Sequence, residues 1–206
     1  MGNRSQSKWE VLDQKDNGST RWLGNETWYV RYPDYPPDRV DDYSIQLGND
    51  YVQVAGITDD RQAVLIIEDR VANGPSLQVL AGSIEAGQTA EEAAKEEFVD
   101  ESGWNAKLVI PLGSQVPQTD RIVSRTEGNL GAKTCFMFLA LGLSFRGQNL
   151  METEKIKTIL VPWDVAVQAA WTGDVIPEAG LSIEDCGSRL ALLLADKTIR
   201  DKRLFE

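Results

Sequence analysis

Short apolar runs divided by polar turns dominate the chain, and only three segments carry helical spacing. YVQVAGIT (51–58) and AVLIIED (63–69) flank the turn TDDRQ, a pattern that predicts two neighbouring strands. SLQVLAG (76–82) reads as one short strand entering a glycine-rich loop. AKLVIPLG (106–113), AKTCFMFLALGL (132–143) and KTILVPW (157–163) extend the sheet. A helix is predicted from about Ala90 to Ser102, with Thr89 and Glu92 as its capping box and Gly103 just past its end. Two more are predicted over Asp164–Trp171 and Ile183–Asp196. The sum is α+β: a mixed sheet with helices on both faces, an α/β/α sandwich.

Ahead of that core, residues 1–20 are polar and read as frayed up to Trp9. ETWYVRYP, a proline-rich turn over Pro33–Pro37, and DDYSIQL read as two or three strands. A lone hairpin of this kind is marginal in water, so it is expected to pack on the main domain or on a second subunit. The division is then a tail and small antiparallel β subdomain over 1–48, and the main domain over 49–206. Packing of this aromatic N-terminal sheet on a second copy of the chain would make the protein a homodimer.

Composition narrows the chemistry. Lysine plus arginine is 21 against 32 acidic residues, a net charge of −11, which argues against a nucleic-acid partner. A small phosphorylated ligand remains compatible, because a bound metal reverses the local field. Histidine is absent, which removes serine–histidine and cysteine–histidine catalysis and histidine metal sites. Cys135 and Cys186 have no metal-binding spacing and read as buried free thiols. The start MGNRSQSKWE has no apolar signal core and no stretch reaches membrane-spanning length, so the expectation is a cytoplasmic protein without a membrane partner.

The segment GSIEAGQTAEEAAKEEFVDESGW (82–104) carries the densest chemistry. Its helix holds Glu96, Glu97, Asp100 and Glu101, and like charges one turn apart repel. A cation would remove that cost, and oxygen ligands without histidine suit Mg²⁺ or Mn²⁺. As composition alone, the segment is also a soluble acidic helix built from good helix formers. Small residues Ala90, Ala93 and Ala94 permit close approach to the backbone near Leu80–Gly82, and Phe98 can dock into the core.

The full register from Gly82 resembles the signature box of the Nudix hydrolases. That box is glycine, five residues, glutamate, seven residues, then Arg-Glu-apolar-x-Glu-Glu-x-Gly-apolar. Glu97, Phe98, Glu101, Gly103 and Trp104 match it; Gln88 stands for the first glutamate, Glu96 for the arginine, and Asp100 for the next glutamate. The phrase LQVLAGSIEAGQTAEEAAKEE is similar to the ADP-ribose and nucleoside-diphosphate-sugar pyrophosphatase branch, with Leu80 in place of the usual proline.

That resemblance implies a Nudix fold, an Mg²⁺ (or Mn²⁺) cofactor and hydrolysis of ADP-ribose or a related nucleoside diphosphate sugar. It implies Glu97 and Glu101 as the metal pair, flanked by Asp100, with the Ala81 carbonyl as a further ligand. Glu85 is placed near substrate and metals, and Arg70 at the substrate phosphate or ribose. In METEKI, Glu154 is the first choice for a late metal ligand or general base and Glu152 the second; with Glu101 they form the catalytic carboxylates. Trp28 and Tyr29 are candidates to stack on a base or sugar, or to pack and make dimer contacts. The loop 115–131 holds Arg121 and Arg125, which would meet substrate if the loop is more than a solvated surface. Two other readings use the same residues: a Nudix enzyme acting on a different organic diphosphate, and a Nudix-fold binding or scaffold protein without turnover.

Overall fold

The computed structural model describes residues 10–19, 24–31, 36–70, 74–112, 123–124, 134–150 and 155–205. In chain order the elements are β1 (Glu10–Ser19), β2 (Gly24–Arg31), β3 (Asp41–Leu47), β4 (Tyr51–Ile57), β5 (Gln62–Arg70), β6 (Gly74–Gln78), β7 (Leu80–Ser83) and α1 (Ala90–Ser102). There follow β8 (Trp104–Pro111), β9 (Val123–Ser124), β10 (Cys135–Phe145), β11 (Ile156–Pro162), α2 (Trp163–Thr172), β12 (Val175–Ile176), β13 (Leu181–Ser182) and α3 (Cys186–Lys202).

The chain divides into two compact units, Met1–Asn49 with Arg125–Thr134, and Asp50–Ser124 with Cys135–Glu206. The first contains an antiparallel sheet in the order β1-β2-β3. Its first strand was not foreseen. EVLDQKDNGS is exposed along Glu10–Gly18 and shows no apolar alternation. It is a strand because its backbone pairs with β2, from Glu10 opposite Arg31 to Ser19 opposite Gly24.

The second unit is built on an eight-stranded mixed sheet whose main path is β11-β5-β4-β10-β8. β4 and β10 run parallel, and β10 with β8, β5 with β11, and β4 with β5 run antiparallel. Strand alternation sorts the core into two layers. Ala63 and Leu65 of β5 join Trp163, Ala191 and Leu192 under α2 and α3. Val64 and Ile66 point the other way and join Ala93, Ala94 and Phe98 under α1. This is the expected α/β/α sandwich.

Two details differ from the sequence expectation. SLQVLAG is not one strand: β6 pairs with β5, β7 pairs with β4, and Val79 is the step between them. Helix α3 begins at Cys186 rather than Ile183, because the Asp185 carboxylate accepts the Ser188 N–H at 2.6 Å and caps the helix there. Both cysteines are free, but only Cys135 is buried; Cys186, the first residue of α3, is exposed.

Candidate active site

The N-terminus of α1 forms as its sequence dictates. Thr89 Oγ1 accepts the Glu92 N–H at 3.2 Å, and Glu92 Oε2 accepts the Thr89 N–H at 2.9 Å. The Thr89 hydroxyl also donates to Glu92 Oε2 at 2.7 Å, and this bond first, then that from the Thr89 N–H, holds the Glu92 carboxyl below its usual pKa. At the other end Gly103 takes φ 77°, and its N–H returns to the Val99 carbonyl at 2.9 Å.

Two glycines let the helix settle onto the sheet. A Cβ on Gly56 of β4 would overlap the Phe98 ring, and a Cβ on Gly82 of β7 would overlap the Glu97 carboxyl group. Phe98 is therefore fully buried, and the half-buried Glu97 carboxylate rests directly on the backbone that follows Ala81. Glu101 stands one turn further on, with Oε2 shut off from solvent. Asp100 lies beside them and faces Asn149, whose Nδ2 is 3.5 Å from Asp100 Oδ1. The last turn of α1 has no basic residue. Asp100 and Glu101 thus sit where the helix dipole disfavours negative charge, a placement that a cation offsets.

Among the described residues no three acidic side chains converge as a metal cage. The candidate donors are the Glu97 and Glu101 carboxylates and the Ala81 carbonyl, which precedes the Gly82 backbone that meets Glu97. That oxygen-only set fits Mg²⁺ or Mn²⁺, because such ions commonly take one or two carboxylates and complete their octahedron with water and substrate phosphates.

Two of the three substitutions in the box, Gln88 and Glu96, form a contact of their own. Gln88 Nε2 donates to Glu96 Oε2 at 2.7 Å, while Gln88 Oε1 accepts the Glu85 N–H at 3.0 Å. The amide does what neither carboxylate nor ammonium can, serving as acceptor at one end and donor at the other. Where the family pattern has a glutamate at position 88 and an arginine at 96, this chain bridges the two positions with the donor at 88 and the acceptor at 96. Lys95 takes no part; its Nζ pairs with Glu91 at 2.6 Å.

Beyond α1, the segment after β10 closes over the helix C-terminus. Arg146 and Gly147 donate backbone N–H groups to the Gly103 carbonyl, and Asn149 N–H donates to that of Asp100 at 2.9 Å. Gln148 Nε2 reaches the Glu101 carbonyl at 2.5 Å, and Thr158 Oγ1 reaches that of Ser102 at 3.0 Å. Downstream, the Lys155 carbonyl accepts the Asp69 N–H at 3.1 Å. Sequence reasoning missed Gln148, Asn149 and Thr158, whose role depends on contacts with no fixed spacing from the box.

The other anticipated residues fall as follows. Glu85 is exposed in the turn before α1 and is tied to Gln88 through its backbone. Arg70 ends β5 with its backbone opposite Gly74, and its side chain lies outside the described set. Trp28 and Tyr29 belong to β2 in the first unit; Tyr29 is half-buried, and the Trp28 side chain lies outside the described set. Glu152, Glu154, Arg121 and Arg125 lie outside the described residues. A cavity of about 390 Å³ opens on the α3 side, with Ser76, Gln78, Ser182, Glu184 and Asp185 in its wall, and none of the α1 carboxylates line it. Among the described residues no helix is long and apolar enough to cross a membrane.

The sequence matches the model of the NUDIX domain over residues 49–178. No functionally curated protein matches the chain. In three dimensions it is similar to the crystal structure of an ADP compounds hydrolase, with a TM-score of 0.74 and 18% identity over 97% of this chain and 98% of that one. A fold shared by 249 matching solved chains does not choose a substrate. The family match does cover the strand–loop–helix that seats Glu97 on Gly82, and the chain belongs to the Nudix hydrolase superfamily, whose chemistry is the cleavage of organic diphosphates.

Proposed function

We propose that this chain is a divalent-metal-dependent diphosphatase that splits ADP-ribose, or a related nucleoside diphosphate sugar, into a nucleoside monophosphate and a sugar phosphate. The observation that carries the reading is the Glu97 carboxylate seated on the Ala81–Gly82 backbone with Glu101 one turn away. The likeness of LQVLAGSIEAGQTAEEAAKEE to the ADP-ribose branch, and the ADP compounds hydrolase among its structural relatives, support the substrate class.

Glu97, Glu101 and the Ala81 carbonyl would hold Mg²⁺ or Mn²⁺, which supplies charge stabilisation and lowers the pKa of an attacking water. Water adds to one phosphorus as the bond to the bridging oxygen breaks, so ADP-ribose yields AMP and ribose 5-phosphate. The displaced water proton passes to a carboxylate of the acidic loop, Glu154 first and Glu152 second. Arg70 meets the charge that grows on the phosphoryl oxygens. Glu85 and, in the loop 115–131, Arg121 and Arg125 contact substrate, and Trp28 and Tyr29 serve the base or the dimer.

Anion-exchange analysis of ADP-ribose incubated with the protein, with and without Mg²⁺ or Mn²⁺, tests this. Metal-dependent AMP release that disappears in Glu97→Gln and Glu101→Gln is expected. Turnover confined to another organic diphosphate would move the substrate class. Ligand binding with no turnover of any diphosphate would sink the enzymatic reading. Light scattering on the same sample reads the expected homodimer, and a monomer mass at micromolar concentration would reject it.

A further inference from the structure

Behind the proposed metal site, on the α3 side of the sheet, Gln53 and Ser188 are buried to 4% and 0% exposure. Polar groups this deep are costly unless their donors and acceptors are matched. Here they form one chain of fixed polarity. The Val79 N–H donates to Ser188 Oγ at 3.2 Å, and that hydroxyl donates to Asp185 Oδ2 at 2.7 Å. The same carboxylate oxygen accepts the Ser188 N–H at 2.6 Å and Gln53 Nε2 at 2.8 Å. Gln53 Oε1 in turn accepts from the Cys135 thiol at 3.4 Å. Gly187 makes room, since a Cβ there would overlap the Gln53 amide.

The place where this chain ends is informative. Val79 is the step at which the backbone leaves β5 and joins β4. A buried N–H at such a step belongs to neither ladder and needs another acceptor; the Ser188 hydroxyl is that acceptor. Two residues later Ala81 stands opposite Gln53 in the β4–β7 pairing, and Gly82 then meets Glu97. Gln53 therefore holds the ledge by its backbone and the α3 cap by its side chain.

We infer that Ser188, Asp185 and Gln53 are positioning residues: they fix the Ala81–Gly82 ledge under Glu97 and thereby set the affinity of the site for its divalent ion. This rests on the reading of that site proposed above. None of the three is among the residues placed at substrate in the proposed reaction. They act through the 79–82 backbone, as outer-shell groups orient ligands in other metal sites.

The test uses the full chain, with Mn²⁺ as probe. Mn²⁺ dissociation constants from electron paramagnetic resonance, melting temperature, and amide hydrogen exchange of the metal-free protein are compared for wild type, Ser188→Ala and Ile199→Val. The last is a packing change in the buried face of the same helix, away from the hydrogen-bond chain. Ser188→Ala is expected to speed exchange over 79–82 and to weaken Mn²⁺ binding roughly tenfold or more. Ile199→Val should lower the melting temperature with Mn²⁺ affinity unchanged. Equal weakening in both variants, or wild-type exchange and affinity in Ser188→Ala, overturns the positioning role. Absence of Mn²⁺ binding in wild type, with 79–82 still loosened in Ser188→Ala, overturns the metal site itself and separates that failure from the first.

Discussion

Replacing Gln88 with glutamate restores the residue that the family pattern carries at that position, yet in this chain it should do harm. The Gln88 Nε2 to Glu96 Oε2 bond of 2.7 Å would become an approach of two carboxylates. Loss of an amide donor to a charged acceptor removes about 1.5 kcal/mol. Two like charges held near 4 Å in a water-like medium add about 1 kcal/mol of repulsion. Glu96 is exposed, so side-chain rotation relieves part of the sum, leaving a net loss of about 2 kcal/mol. For a chain of this size that corresponds to a fall of roughly 4–8 °C in melting temperature. The assay is a double-mutant cycle by calorimetry with Gln88→Glu, Glu96→Arg and the pair, at low and high salt. The double variant should recover most of the loss by forming the opposite-charge bridge, and high salt should soften the Gln88→Glu defect. If the two single losses simply add, positions 88 and 96 are not coupled and the account of the reversed bridge is wrong.

Two further outcomes follow from the packing. Gly82→Ala should lower diphosphatase activity about 100-fold, since the added Cβ displaces the Glu97 carboxylate by about an ångström; unchanged kinetics and Mn²⁺ affinity would contradict the close approach. Burial pushes the Cys135 thiol from 9.0 up to about 12, above its value in the unfolded chain. Its contribution to stability is thus complete below pH 9 and lost as pH rises from 9 toward 12. Urea midpoints across that range should fall more steeply in wild type than in Cys135→Ala, and equal slopes would refute the assignment.

The parts of the fold legible in the sequence are those set by neighbours along the chain. Thr89 and Glu92 announce a helix start, Gly103 its end, and Phe98 its buried face, because each effect acts within a turn or two. The box register likewise marks Gln88 and Glu96 as its odd positions, and in the structure the two meet. The step at Val79 was not, since an apolar run looks the same whether it keeps one partner strand or exchanges it. Ser188 is 109 positions away from the backbone it holds, and nothing in SIEDCGSRL distinguishes its hydroxyl from a helix-surface serine. Strand β1 was missed because its sequence is polar; backbone pairing with β2 supports it, with Glu10 paired to Arg31 and Asn17 bonded to Thr27 across the ladder.

The closure of the α1 C-terminus has a consequence for how such proteins diversify. Residues 146–149 are fastened to carbonyls at the C-terminal end of α1 on one side; on the other, Lys155 is fastened to Asp69 of β5 and Thr158 to Ser102 of α1. The five positions between them, 150–154, include both proposed general bases, Glu154 and Glu152. Selection can therefore rewrite these positions, in length or in charge, between one attachment to α1 and another to β5 and α1. New substrate preference can arise there while α1 and its seat on Gly82 stay in place.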